Sequence, residues 1–178
     1  LDAETGATPL SIMKQAIKSG DASVLDRLPD SLSLFLGNHP DGAGAMGEIC
    51  ALALLLGLAY MLWKKIITWH IPVSIIVTVF VLAGLMHVVN PVYADPVSVV
   101  LSGGLMLGAI FMATDYVTSP MTHRGQLIYG VAIGALTVII RNWGAYPEGM
   151  SFAILIMNAF TPLINNYVKP KRFGEVAK

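Results

Sequence analysis

From residue 46 onward the chain alternates between long apolar stretches and short polar connections. Five apolar blocks stand out, at residues 46–63, 69–89, 97–114, 126–140 and 150–168. A helix needs about 20 apolar residues to cross a hydrocarbon core, and four of the blocks reach or approach that length. The fourth is short, and its glycine-rich flanks offer the means to extend it. Trp63, Trp69, Tyr93, Trp143, Tyr146 and Tyr167 cluster near the block ends, where amphipathic rings suit a membrane–water interface. The pattern therefore predicts an all-α membrane protein with about five transmembrane helices. Residues 1–43 form a more polar segment ahead of them, residues 44–168 the membrane domain, and residues 169–178 a basic tail.

Composition supports that class. Of 178 residues, 55% are hydrophobic and 12% charged, with mean hydropathy +0.68 and net charge +0. Soluble domains carry about 25% charged residues. No basic excess points to nucleic acid. A single cysteine, Cys50, excludes a disulfide or a cysteine-based metal cluster within the chain, and its apolar setting reads as a small buried residue. The chain begins at Leu1 without a signal-peptide layout, which reads as a piece of a longer protein. Lys64 and Lys65, then Arg124, then Lys169, Lys171 and Arg172 follow alternate blocks, while residues 90–96 and 141–149 hold only Arg141. Positive ends face the cytoplasm, so residues 1–43 fall on the outer face, although Lys14, Lys18 and Arg27 run against the trend.

Candidate chemistry lies first in Asp2-Ala3-Glu4-Thr5-Gly6-Ala7-Thr8-Pro9-Leu10. Pro9 suits the first position of a helix, which makes Thr8 its N-cap and Ser11 to Ile17 its first turns. Gly6 and Ala7 leave the Thr8 hydroxyl open to a bulky group, and a phosphodiester there would meet the positive end of the helix dipole. A simple cap is the plain alternative. Glu48 is the only Asp, Glu, Lys or Arg inside the five blocks. Carboxylates so placed face a cavity, a partner or an ion path, or are hydrated at the interface. Gly104 with Gly108, and Gly130 with Gly134, have the spacing of close helix packing; Gly103-Gly104 also fits a broken helix around a site. The hydroxyl-rich run from Thr114 through Asp115 to Thr122 suits either a cavity lining or a plain turn. Asn158, Thr161, Pro162 and Asn165 share a helix face, for interhelical hydrogen bonds or a polar conduit wall. His70 and His87 flank the second block without a ligand cluster, so no metal site is predicted.

Several ordered motifs carry a resemblance that covers almost the whole chain. They are Thr5-Gly6-Ala7-Thr8-Pro9-Leu10, Gly42-Ala43-Gly44-Ala45-Met46-Gly47-Glu48, Trp69-His70-Ile71-Pro72, Thr114-Asp115-Tyr116-Val117-Thr118-Ser119-Pro120, Tyr146-Pro147-Glu148-Gly149 and Lys169-Pro170-Lys171-Arg172-Phe173-Gly174. Together they resemble the C-terminal half of a family that contains the D subunit of the Rnf ion-translocating electron-transport complex. The B subunit of the sodium-pumping NADH:quinone oxidoreductase is the close relative. The resemblance implies covalent FMN on Thr8, with Asp2, Thr5, Gly6 and Ala7 as the attachment motif recognised by a flavin transferase. It also implies a bacterial inner-membrane location with the flavin on the periplasmic face, and a preceding helical half related as an inverted repeat. Partners would include the lipid bilayer, the other subunits, a second FMN-bearing subunit among them, and indirectly ferredoxin and NAD. A noncovalent riboflavin belongs to the same expectation. Two departures stand out: Ile49-Cys50 follow Glu48 where the family often has Thr-Ser, and Tyr116 replaces a proline after Asp115. Both acids remain, which makes Glu48 and Asp115 the ion-path candidates and leaves Na⁺ against H⁺ open. The rival from another class is a solute or ion channel subunit without a redox centre. A structural membrane subunit in which Thr8 only caps a helix is the third.

Overall fold

A computed structural model describes residues 8–37 and 50–169, and all regular structure among them is helical. The chain order is α1 (Pro9–Ser19), a 3₁₀ turn (Ala22–Arg27), α2 (Ser31–Leu36), α3 (Ala51–Trp63), α4 (His70–Val89), α5 (Pro96–Leu101), α6 (Leu105–Leu107) running on into a π-helical turn (Gly108–Met112), α7 (His123–Trp143) and α8 (Met150–Tyr167). Among the described residues each of the five apolar blocks is thus largely helical, the third with a break. By length and composition α4 and α7 are long and apolar enough to cross a membrane, and α3 is a shorter apolar helix. At 1.5 Å per residue α4 and α7 each span about 30 Å.

The fourth block is longer than its apolar run. Thr122 starts α7 by accepting a hydrogen bond from Gly125 N, and the helix then continues through Arg141 to Trp143, giving 21 residues. The third block departs from a single span. It starts cleanly, with Asp95 capping α5 through Val97 N and Pro96 at the first position, but α5 ends at Leu101. Gly103 then turns with φ 68°, a left-handed value that favours glycine. The broken-helix reading of Gly103-Gly104 is the one the backbone adopts.

The core lies where α4, α7, α8 and the broken segment meet. Ile75, Val79, Leu105, Ala109, Ile110, Tyr129, Ile133 and Ala153 are sealed within it. Glycines allow the closest approaches. A Cβ on Gly130 would overlap Ser74 Oγ and lie 3.1 Å from Ile71 O, and one on Gly134 would lie 2.9 Å from Thr78 Cβ. The Gly130–Gly134 pair therefore does pack helices, setting α7 onto α4. Gly108 receives Met150 of α8 in the same way. Leu56, Val77, Phe80, Leu85, Leu155 and Leu163 stay exposed, which suits an apolar surrounding.

Gly130→Ala should therefore lower stability by about 1–3 kcal/mol, because overlap with Ser74 outweighs the helix propensity gained. Gly84→Ala is the control: its nearest neighbour, Pro96 Cγ, is at an ordinary 3.5 Å. Thermal unfolding in detergent checks this, and equal midpoints for the two variants would contradict the packing account.

Candidate functional site

Helix α1 begins as its sequence requires. Thr8 sits in extended conformation, its Oγ1 accepts from Ser11 N at 3.3 Å, and Pro9 takes the first helical position. Ser11 Oγ donates back to Thr8 O at 2.7 Å. Thr8 is exposed, so its hydroxyl is both accessible and held at the positive end of an 11-residue helix. Gly20 closes the helix with φ 69°, its N–H donating to Ala16 O. Leu10, Met13, Lys14 and Ile17 form the inward face of α1 and line a cleft of about 500 Å³ shared with Ala83, Met86, Val138 and Asn142.

Beneath α1 lies the break. Arg141, on the last turn of α7, donates from Nη1 to Val99 O at 2.9 Å and from Nη2 to Ser102 O at 3.2 Å. These are carbonyls at the C-terminal end of α5, which lost their helical continuation at Gly103. Glu148 holds the other side: Oε2 accepts from Gly104 N at 3.1 Å, and Oε1 accepts from Met150 N, at the start of α8, at 3.2 Å. The two residues pair at 3.3 Å, with Arg141 6% exposed and Glu148 34%. A cation thus meets carbonyls and an anion meets N–H groups, the polarity that broken helix ends prefer. Leu10 of α1 packs into the notch left by Gly103, where a Cβ would collide with both Leu10 Cδ1 and Glu148 Oε2. Lys14 Nζ donates to Gly144 O and to Tyr146 O, both at 2.6 Å. Burial, with Lys18 nearby, pushes the Lys14 ammonium below the ordinary lysine range.

Lys14, Arg141 and Glu148 were missed as site residues in the sequence. Arg141 and Glu148 fall just outside the apolar blocks, and Lys14 looks like an ordinary surface charge. The available signals were the position of Lys14 among Leu10, Met13 and Ile17 at helical spacing, and the left-handed turn that Gly103-Gly104 permits.

The other candidates lie elsewhere. Asp115 is exposed in the turn before α7, where its Oδ2 accepts from Thr118 Oγ1 at 3.2 Å and its backbone O from Ser119 N at 3.1 Å. The length of α7 separates it from α1, about 30 Å. The hydroxyl-rich run is largely committed to backbone carbonyls, both local and distant in sequence. Thr114 Oγ1 donates to Ile110 O, Tyr116 to Ile66 O, and Thr122 to Val168 O. Thr114, Tyr116 and Ser119 also line a cleft of about 330 Å³ with Thr68 and Gln126. On α8, Asn158 accepts from the Tyr129 hydroxyl and Asn165 from Met121 N, both packing contacts. Thr161 turns back to Met157 O. Asp2, Thr5, Gly6, Ala7 and Glu48 lie outside the described residues. No cluster of metal-ligating side chains occurs among the described residues.

A family model described as the NQR2, RnfD, RnfE family matches residues 1–174. The chain belongs to that family. Relatives of this NQR2, RnfD, RnfE member agree with the assignment. The chain is 44% identical over 173 residues to the D subunit of the Na⁺-translocating ferredoxin:NAD⁺ oxidoreductase complex of Acetobacterium woodii, covering 97% of this chain and 50% of that one. It is 43% identical over 179 residues to the D subunit of the proton-translocating ferredoxin:NAD⁺ oxidoreductase complex of Clostridium ljungdahlii, with 98% and 52% covered. It is 40% identical over 180 residues to the D subunit of the ion-translocating oxidoreductase complex of Stutzerimonas stutzeri, with 99% and 50% covered. The chain spans about half the length of the curated relatives it matches. Family membership and the apolar helices α4 and α7 together make it a membrane protein.

Replacing Arg141 tests the capped break. Arg141→Met removes two donors from buried carbonyls and the partner of Glu148, and should cost about 2–3 kcal/mol. Glu148→Gln keeps an acceptor for Gly104 N and stands partly in solvent, so it should cost less, about 1 kcal/mol. Thermal unfolding of each variant measures the order; a harmless Arg141→Met would contradict it.

Proposed function

We propose that this chain is part of a membrane subunit of a redox-driven, ion-translocating oxidoreductase complex, and that it carries FMN on Thr8 through a phosphoester. The observation that carries this reading is the state of Thr8: an exposed hydroxyl, capping a helix whose inward face is fixed on the break in the third apolar block. The fit to a flavin phosphate is good on the structure's own terms. The acceptor oxygen is already aimed at Ser11 N, and a diester in its place would find the same N–H and the helix dipole. Thr5-Gly6-Ala7 ahead of it adds little bulk.

FMN, when attached, supplies the electron-accepting ring; the chain's task is to hold and orient it. Thr8 provides the anchor and α1 the mount. The names of the relatives support ferredoxin and NAD⁺ as the terminal partners of the complex, with either Na⁺ or H⁺ as the ion moved. The five apolar blocks act as membrane spans, with residues 1–43 on the outer face. Two of the cations that run against this orientation, Lys14 and Arg141, are engaged by backbone carbonyls, so they weigh little in it. Glu48 and Asp115 are the acids proposed for the ion path, Glu48 as an intramembrane carboxylate and Asp115 at the far end of α7.

Two measurements bear on the proposal. Thr8→Ala should abolish flavin fluorescence of the denatured subunit, at a cost of about 1 kcal/mol in capping, while Thr8→Ser keeps both cap and hydroxyl. Covalent flavin persisting in Thr8→Ala would sink the assignment. Glu48→Gln keeps shape and hydrogen-bonding capacity without the titrating charge, so assembly and FMN attachment should remain while ion uptake per electron falls in proteoliposomes. Unchanged coupling and unchanged pH and Na⁺ dependence would reject the role for Glu48.

A further inference from the structure

We propose that Lys14 is a positioning residue for the flavin on Thr8, clamping α1 at a fixed register on the α7–α8 connection. The inference rests on the reading of Thr8 given above. Helix α1 has 11 residues, short of the ~12–15 at which an isolated helix becomes even marginally stable, so its direction is set by what it touches. Besides the apolar packing of Met13 on Ala94, two of its contact points lie one turn apart. Leu10 drops into the Gly103 notch beside Glu148, and Lys14 reaches the carbonyls of Gly144 and Tyr146 in the α7–α8 connection. Thr8 is two residues from the first point.

The two points differ in kind. Leu10, Met13 and Ile17 bury apolar surface, which is non-directional and lets a helix slide or roll. An ammonium donating to two carbonyls at 2.6 Å allows neither motion without breaking a charge-assisted hydrogen bond. The lysine is 9% exposed and sits on the apolar face, where methionine would bury as much surface without the desolvation that depresses its pKa. A charge held there at a cost is explained by the direction it imposes. The same α7–α8 connection carries Glu148 and follows Arg141, so Lys14 ties the flavin-bearing helix to the two residues that cap the break.

The test uses the full-length subunit in its assembled complex, with Lys14→Met as an apolar isostere and Lys14→Arg as the variant that keeps the donors. Three quantities are measured: covalent flavin by in-gel fluorescence, amide hydrogen exchange across residues 9–19, and quenching of the flavin by iodide. Lys14→Met should retain its flavin, exchange roughly tenfold faster in α1, and show about twofold stronger quenching, with Lys14→Arg restoring both toward the original values. Loss of a positive charge would by itself weaken the attraction for iodide and lower quenching, so stronger quenching reports motion of the ring. Unchanged exchange overturns the clamp. Faster exchange with unchanged quenching overturns the positioning role and leaves a purely structural lysine. Absence of flavin from the unsubstituted subunit overturns the reading of Thr8, and the positioning role with it, whatever the exchange shows.

Discussion

The ion pair between Arg141 and Glu148 is the constraint on which the Thr8 end of this fold depends. A helix interrupted among apolar residues leaves carbonyls on one stub and N–H groups on the other, and burying them without partners costs several kcal/mol. Here the guanidinium meets Val99 O and Ser102 O while the carboxylate meets Gly104 N and Met150 N. Because both side chains come from the end of α7 and its connection to α8, the break is held by a segment some 40 residues downstream. The same segment offers Gly144 O and Tyr146 O to Lys14. One short connection therefore organises α5, α6, α8 and α1.

Much of the fold was legible because burial and lipid exposure both write themselves as apolar runs. Among the described residues four blocks lie on single helices and the third on a broken one, and the spacing of Gly130 and Gly134 announced a close helix contact, which Ser74 and Thr78 of α4 complete. The helix start at Thr8-Pro9 was equally direct, since cap and proline act within one turn. The interruption at Gly103-Gly104 was visible only as an alternative, because hydropathy reports the side chains and not the backbone path. Arg141 and Glu148 were hidden for a related reason. Their role is to satisfy backbone groups distant in sequence, and no local pattern records that. Asp115 could be placed in a hydroxyl-rich turn, yet the sequence did not show that Thr114, Tyr116 and Thr122 commit their hydroxyls to nearby carbonyls.

For function, the arrangement separates two kinds of work. Near Thr8 the chain offers a rigid mount: a capped helix, an apolar inward face and a lysine fixed on carbonyls. At the other end of α7 it offers an exposed aspartate in a polar turn beside a cleft lined by Thr68, Ser119 and Gln126. The proposed function, with FMN at one end and ions passing through the core, would need the two to be mechanically linked. The capped break lies between them in the structure, joined to α1 by Leu10 and to the core by Leu105 and Ile110.

The most direct measurement is the mass of the proteolytic peptide that contains Thr8, taken from the subunit produced with its own flavin transferase and fragmented to locate any adduct. The account predicts an increment equal to FMN less one water, carried on the Thr8 side chain. An unmodified Thr8, or flavin localised to another residue, would contradict it.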